Sequence, residues 1–79
     1  MARYFFNSHH DFATLDTVAR EMIDQDAARQ QALCEARHAA ANEVYGVGTL
    51  SLSHRIEVTD ASGAVVTTER LAEAVYVRP

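Results

Sequence analysis

The sequence predicts an α+β fold, one alanine-rich helix packed on a three- to four-stranded, mainly antiparallel sheet, in the order β-β-α-β-β. Three observations predict it. Gln25 to about Val44 lacks Gly and Pro and is dominated by good helix formers. Arg55-Ile56-Glu57-Val58-Thr59 alternates polar and apolar residues, the period of a half-buried strand. Arg3-Tyr4-Phe5-Phe6 has the aromatic composition of a third strand region.

Taken in order, the first strand carries aromatic rings on both faces, which predicts a central place in the sheet. The next stretch, Asp11 to Ile23, is expected to hold a short second strand near Phe12 to Leu15 and then an irregular approach to the helix. Asp24 is placed to cap that helix, because its carboxylate can accept the unpaired amides of the first turn. Asp26 adds negative charge where the helix dipole favours it. On a helical wheel Ala28, Ala32, Leu33, Ala36, Ala39, Ala40 and Val44 share one arc of about 160°, a face small enough to lie close to a sheet. Gly46 and Gly48 end the helix.

In the last third, Ile56 and Val58 share one strand face. Asp60-Ala61-Ser62-Gly63 is a turn signal, and Ala64-Val65-Val66-Thr67-Thr68 returns as the hairpin partner. Val75-Tyr76-Val77 is expected as a further short strand.

Seventy-nine residues is room for one domain, spanning 1–79. A chain of this size buries only about 60–65% of its unfolded surface. Fourteen of its hydrophobic residues are Ala and none is Trp, so the predicted core is thin. A single Cys makes no internal disulfide. Association with a second copy is the remaining source of support, and a homodimer is expected.

The net charge is −4, and all seven basic residues are Arg, each at least eight positions from the next. Binding to phosphate backbones needs a basic stripe, so nucleic acid is not expected as a partner. Tyr4-Phe5-Phe6 runs straight into Asn7-Ser8-His9-His10-Asp11, which is unlike the apolar run of a signal peptide. Nothing approaches a membrane span, and the lone Cys34 suits a reducing compartment. The expectation is a cytoplasmic protein with no membrane partner.

Arg3-Tyr4-Phe5-Phe6, Asp16, Glu21, Asp24 with Ala27-Ala28, and Ile56-Glu57-Val58-Thr59-Asp60 with Gly63 stand out as a set. Taken together they resemble a family of short domains of unknown function from rhizobial-type alphaproteobacteria. His10-Asp11-Phe12 and Ala19 stand where that family usually has an Asp-Gly turn and a further Gly. The resemblance implies the fold and leaves the activity open.

Four His invite a metal reading, but His9 and His10 are adjacent and point to opposite faces of a strand. No Cys-x-x-Cys or His-x-x-x-His pair accompanies them. Cys34 and His38, one helical turn apart, are the sole nucleophile–base pair at a definite spacing. They lie mid-helix, where the sequence implies no pocket, so Cys34 is expected to be an ordinary thiol. Asp11, Asp16, Glu21, Asp24 and Asp26 lack the compact spacing of a calcium loop. No catalytic, cofactor-binding or metal-binding residue is therefore assigned, and no cofactor is expected. The leading reading is a non-enzymatic protein-interaction module, homodimeric or pairing with a partner through a sheet edge. The alternative is a small-molecule or metal-binding sensor or enzyme using His9, His10, Cys34 or His38.

Overall fold

A computed structural model of the chain describes residues 1–10 and 13–75. It contains β1 (Ala2–His10), β2 (Ala13–Met22), α1 (Gln25–Val47), β3 (Arg55–Asp60), β4 (Val65–Arg70) and α2 (Leu71–Ala74). The four strands form one antiparallel sheet in the order β2-β1-β3-β4. The α+β class and the β-β-α-β-β order are as the sequence predicts, and β1 is central, flanked by β2 and β3.

Period two divides β1 cleanly. Tyr4 and Phe6 are buried on the helix side, and Ser8 and His10 continue that row. Opposite Tyr4 and Phe6 on β3 stand Asp60 and Val58, and Ile56 stands opposite Ser8. Ala28, Ala32, Ala36 and Ala40 form the buried stripe of α1, each at most 2% exposed. Four alanines one turn apart let the helix backbone settle onto the sheet. The same economy limits the core, whose largest fully buried side chains are Leu71 and Val58.

The caps follow from residue chemistry. Asp24 Oδ1 accepts the Ala27 amide at 2.8 Å. At the other end the Gly48 amide reaches Val44 O at 2.8 Å, with Gly48 at φ 74°, where a Cβ would be strained. Gly46 lies within the helix, so α1 runs three residues past the expected end at Val44. Val44 also leaves the predicted buried arc, being 50% exposed. The hairpin β3–β4 turns on Asp60, whose Oδ1 accepts from the Ser62 amide, the Ser62 hydroxyl and the Ala64 amide. These bonds, the Ser62 hydroxyl first, hold the Asp60 carboxyl below its ordinary range.

Other expectations also need correction. The stretch before the helix is not a short strand with an irregular approach. From Ala13 to Met22 it is one ten-residue strand, with Leu15 as an extra residue where the pairing shifts from Ser8↔Asp16 to His9↔Thr14, while Asp11 and Phe12 lie outside the described residues. Leu71 to Ala74, for which the sequence predicts no element, forms a helical turn that buries Leu71 and Ala74. Arg37 Nε donates to Ala74 O at 2.9 Å and ties that turn to α1. Of the final predicted strand, Val75 is in a bend, and Tyr76 and Val77 lie outside the described residues.

Candidate functional site

α1 lies mainly over β3 and β4 and only lightly over β2. The helix therefore leaves two surfaces with chemistry on them: a cleft along its flank and the outer edge of β2.

The cleft has a volume of about 430 Å³. Gln31, Cys34, His38 and Asn42, spaced three or four residues apart, form with Glu35 one stripe of α1 along its wall. Ser8 and Ile56 close it from the sheet side. Cys34 and His38 thus share a cleft that their mid-helix position does not foretell, and both side chains are exposed. The two adjacent histidines part company. His9 sits on the open face of the sheet, with Nε2 4.0 Å from Glu57 Oε1. His10 faces the helix side, with Nε2 2.7 Å from Ser51 Oγ. Among the described residues no three His, Cys, Asp or Glu side chains come together as metal ligands.

At the Ser8 end the cleft meets a polar network that crosses three elements. Ser8 Oγ lies 3.0 Å from His54 Nε2, and His54 Nδ1 lies 3.1 Å from Glu43 Oε2. Glu43 Oε1 accepts the Ser51 backbone amide. Ser51 Oγ contacts Ser53 Oγ at 3.2 Å as well as His10. The His10 and His54 rings meet edge to face, centroids 5.9 Å apart. A carboxylate only accepts, so Glu43 fixes a proton on His54 Nδ1 and leaves Nε2 of the neutral ring to accept from Ser8. The hydrogen bond to His54, with that from the Ser51 amide second, lowers the Glu43 pKa. No spacing rule exposes this trio, whose members lie 46 and 11 residues apart. The one local signal is a polar Ser8 continuing the Tyr4–Phe6 row toward the helix.

The β2 edge is organised around Arg20. Its Nη2 lies 2.9 Å from Glu35 Oε1 on α1, and its guanidinium carbon stands 5.6 Å from the Phe6 ring centroid. Arg20 Nε and Glu35 Oε2 are buried without a hydrogen-bond partner among the described residues.

The family model of a domain of unknown function, DUF6894, matches residues 3–72. The chain belongs to that family. No curated protein and no solved structure matches it. The family covers β1 through the start of α2, so both surfaces lie on the family domain. No helix among the described residues is long and apolar enough to cross a membrane.

Proposed function

We propose that this chain is a protein-interaction module that pairs edge to edge with a second copy of itself through β2. The carrying observation is the edge itself. β2 is a ten-residue strand with β1 on one side and no strand on the other among the described residues. Such an edge offers a row of backbone donors and acceptors to another strand. The offset of α1 toward β3 and β4 leaves the helix-side face of β2 thinly covered, with Val18 and Met22 half-buried.

The charges on β2 favour a copy of the same strand. In an antiparallel pair with its two-fold axis at Val18, Asp16 stands opposite Arg20 of the second copy, and Arg20, which also holds Glu35 of its own helix, opposite that copy's Asp16. Both pairs fall on the helix-side face and are directly opposed, the arrangement in which opposite charges stabilise a strand pair. An axis at Asp16, Arg20 or Glu21 instead sets like charges against each other. The thin core adds a reason for association, because small domains gain from burying more surface.

Other features accompany this reading. A single exposed Cys34 suits a reducing, cytoplasmic setting. Dispersed arginines and the −4 charge disfavour nucleic acid as the partner. The Arg3-Tyr4-Phe5-Phe6 opening and the Ile56–Asp60 hairpin support an alphaproteobacterial source.

The test is a charge swap read by sedimentation equilibrium. The native chain is expected at twice its 8.7 kDa mass at micromolar concentration. Asp16→Arg sets Arg against Arg, and Arg20→Asp sets Asp against Asp, so each folded variant alone should be monomeric. Mixing the two restores both opposite-charge pairs and should restore the dimer. A native chain that stays monomeric overturns the proposal, and a mixture that stays monomeric overturns the Val18 register.

A further inference from the structure

We infer that Ser8 is an acyl-accepting nucleophile whose base is His54, and that the cleft it lines receives a small carboxylic ester. The inference stands on a different surface from the β2 edge and does not depend on dimerisation.

A serine hydroxyl is a weak nucleophile until an adjacent base takes its proton as the new bond forms. Here the hydroxyl meets the imidazole at 3.0 Å, within the reach such a transfer requires. The ring is held at its far nitrogen by Glu43 at 3.1 Å. Glu43 is held in turn by the Ser51 amide, so the carboxylate is fixed at both oxygens. Nucleophile, base and orienting acid thus follow the order that defines a serine triad by geometry rather than by sequence position. The three come from β1, the 48–54 connector and the last turns of α1, which the network locks together.

Position relative to the cleft separates this trio from a buried structural clamp. Ser8 lines the 430 Å³ space, whereas His54 and Glu43 do not line it, their side chains being 16% and 20% exposed. An acyl group entering the cleft meets Ser8 and not the His54 ring. Asn42 and Gln31 line the same space and bring side-chain N–H donors to it, the type of group that steadies a developing oxyanion.

The chemistry balances without a cofactor. The Ser8 proton passes to His54 Nε2 as Oγ bonds to the acyl carbon. The ester C–O bond breaks, and the proton on Nε2 leaves with the alkoxide as the alcohol. Water then gives a proton to Nε2 and adds its oxygen to the acyl carbon. The acyl–Oγ bond breaks, the carboxylic acid departs, and Ser8 recovers its proton from His54.

The experiment uses p-nitrophenyl acetate and a serine-directed fluorophosphonate on the whole folded chain, with the adduct located by peptide mass spectrometry. Ser8 should carry the adduct, and urea-unfolded chain should not. His54→Gln should slow labelling by roughly 100-fold or more, the usual range for a general base. Glu43→Gln should lower the rate constant at saturating reagent and leave the half-saturating concentration unchanged, which marks a positioning residue. Circular dichroism checks that each variant is folded. If His54→Gln fails to fold, the native-against-urea comparison on the unaltered chain decides the question. The inference is overturned if folded chain gives no Ser8 adduct, an adduct confined to Cys34, or a Ser8 adduct formed as fast in urea or in folded His54→Gln.

Discussion

Arg20, on the outer strand, reaches across the sheet to Glu35 on the helix, closing to 2.9 Å between Nη2 and Oε1. The contact joins β2 to an element that otherwise hardly touches it. In reaching that far, the guanidinium passes over Phe6 at 5.6 Å. One side chain therefore supplies both an ion pair and a cover for the core. Glu35→Ala should cost about 1 kcal/mol, the upper range for a partly exposed pair. Arg20→Ala should cost about 0.5–1 kcal/mol more, because the cation–π contact goes with the charge. Urea denaturation of both variants checks the order, and equal losses would remove Phe6 from the account.

This pair also explains why β2 is hard to read from sequence. Asp16-Thr17-Val18-Ala19-Arg20-Glu21-Met22 shows no clean alternation, since charged residues fall on both of its faces. Alternation arises only where one face is buried, and the helix barely covers β2. By contrast β3 is covered by α1, and its Ile56 and Val58 alternate as predicted. The helix is legible because Asp24 and the four-alanine stripe are local signals. The cleft is not, because Ser8, Cys34 and Ile56 meet only through the tertiary fold. His54 and Glu43 carry no mark in the sequence that separates them from surface residues.

The alanine stripe makes a sharp prediction. Ala36 is fully buried, so Ala36→Leu forces extra volume between helix and sheet. It should destabilise the fold by about 1–3 kcal/mol in urea denaturation. Val44→Ala, on a residue 50% exposed, should change stability by less than about 0.5 kcal/mol. The reverse ranking would mean the helix is rotated on the sheet.

Gly46 and Gly48 look equivalent in sequence and differ in structure. Gly48 adopts φ 74°, so Gly48→Ala should cost about 1 kcal/mol or more. Gly46 is inside the helix, and a Cβ placed on it would meet nothing within 4 Å. Gly46→Ala should therefore stabilise by up to about 0.5–1 kcal/mol. Thermal melts of the two variants should move in opposite directions. A shift of the same sign in both would contradict the cap at Gly48.

The last prediction concerns acid. Glu43 has its pKa lowered from 4.5 in the folded state, chiefly by the His54 hydrogen bond and then by the Ser51 amide. A carboxyl that is more acidic when folded binds its proton first in the unfolded chain. Its contribution to stability is therefore complete above about pH 4.5 and is lost as pH falls through the lower, folded-state value. Glu43→Gln has no charge to lose at this position. Its stability should fall less steeply than that of the native chain below pH 4.5, so the gap between the two narrows as acid is added. Asp60, lowered from 3.8 by the Ser62 hydroxyl and neighbouring amides, is unchanged in that variant. A residual decline below pH 3.8 should therefore persist in Glu43→Gln. Urea midpoints measured across this range give both slopes. Parallel curves for the two proteins would show that the Glu43–His54 contact does not form in solution, and the link between the end of α1 and the connector would go with it.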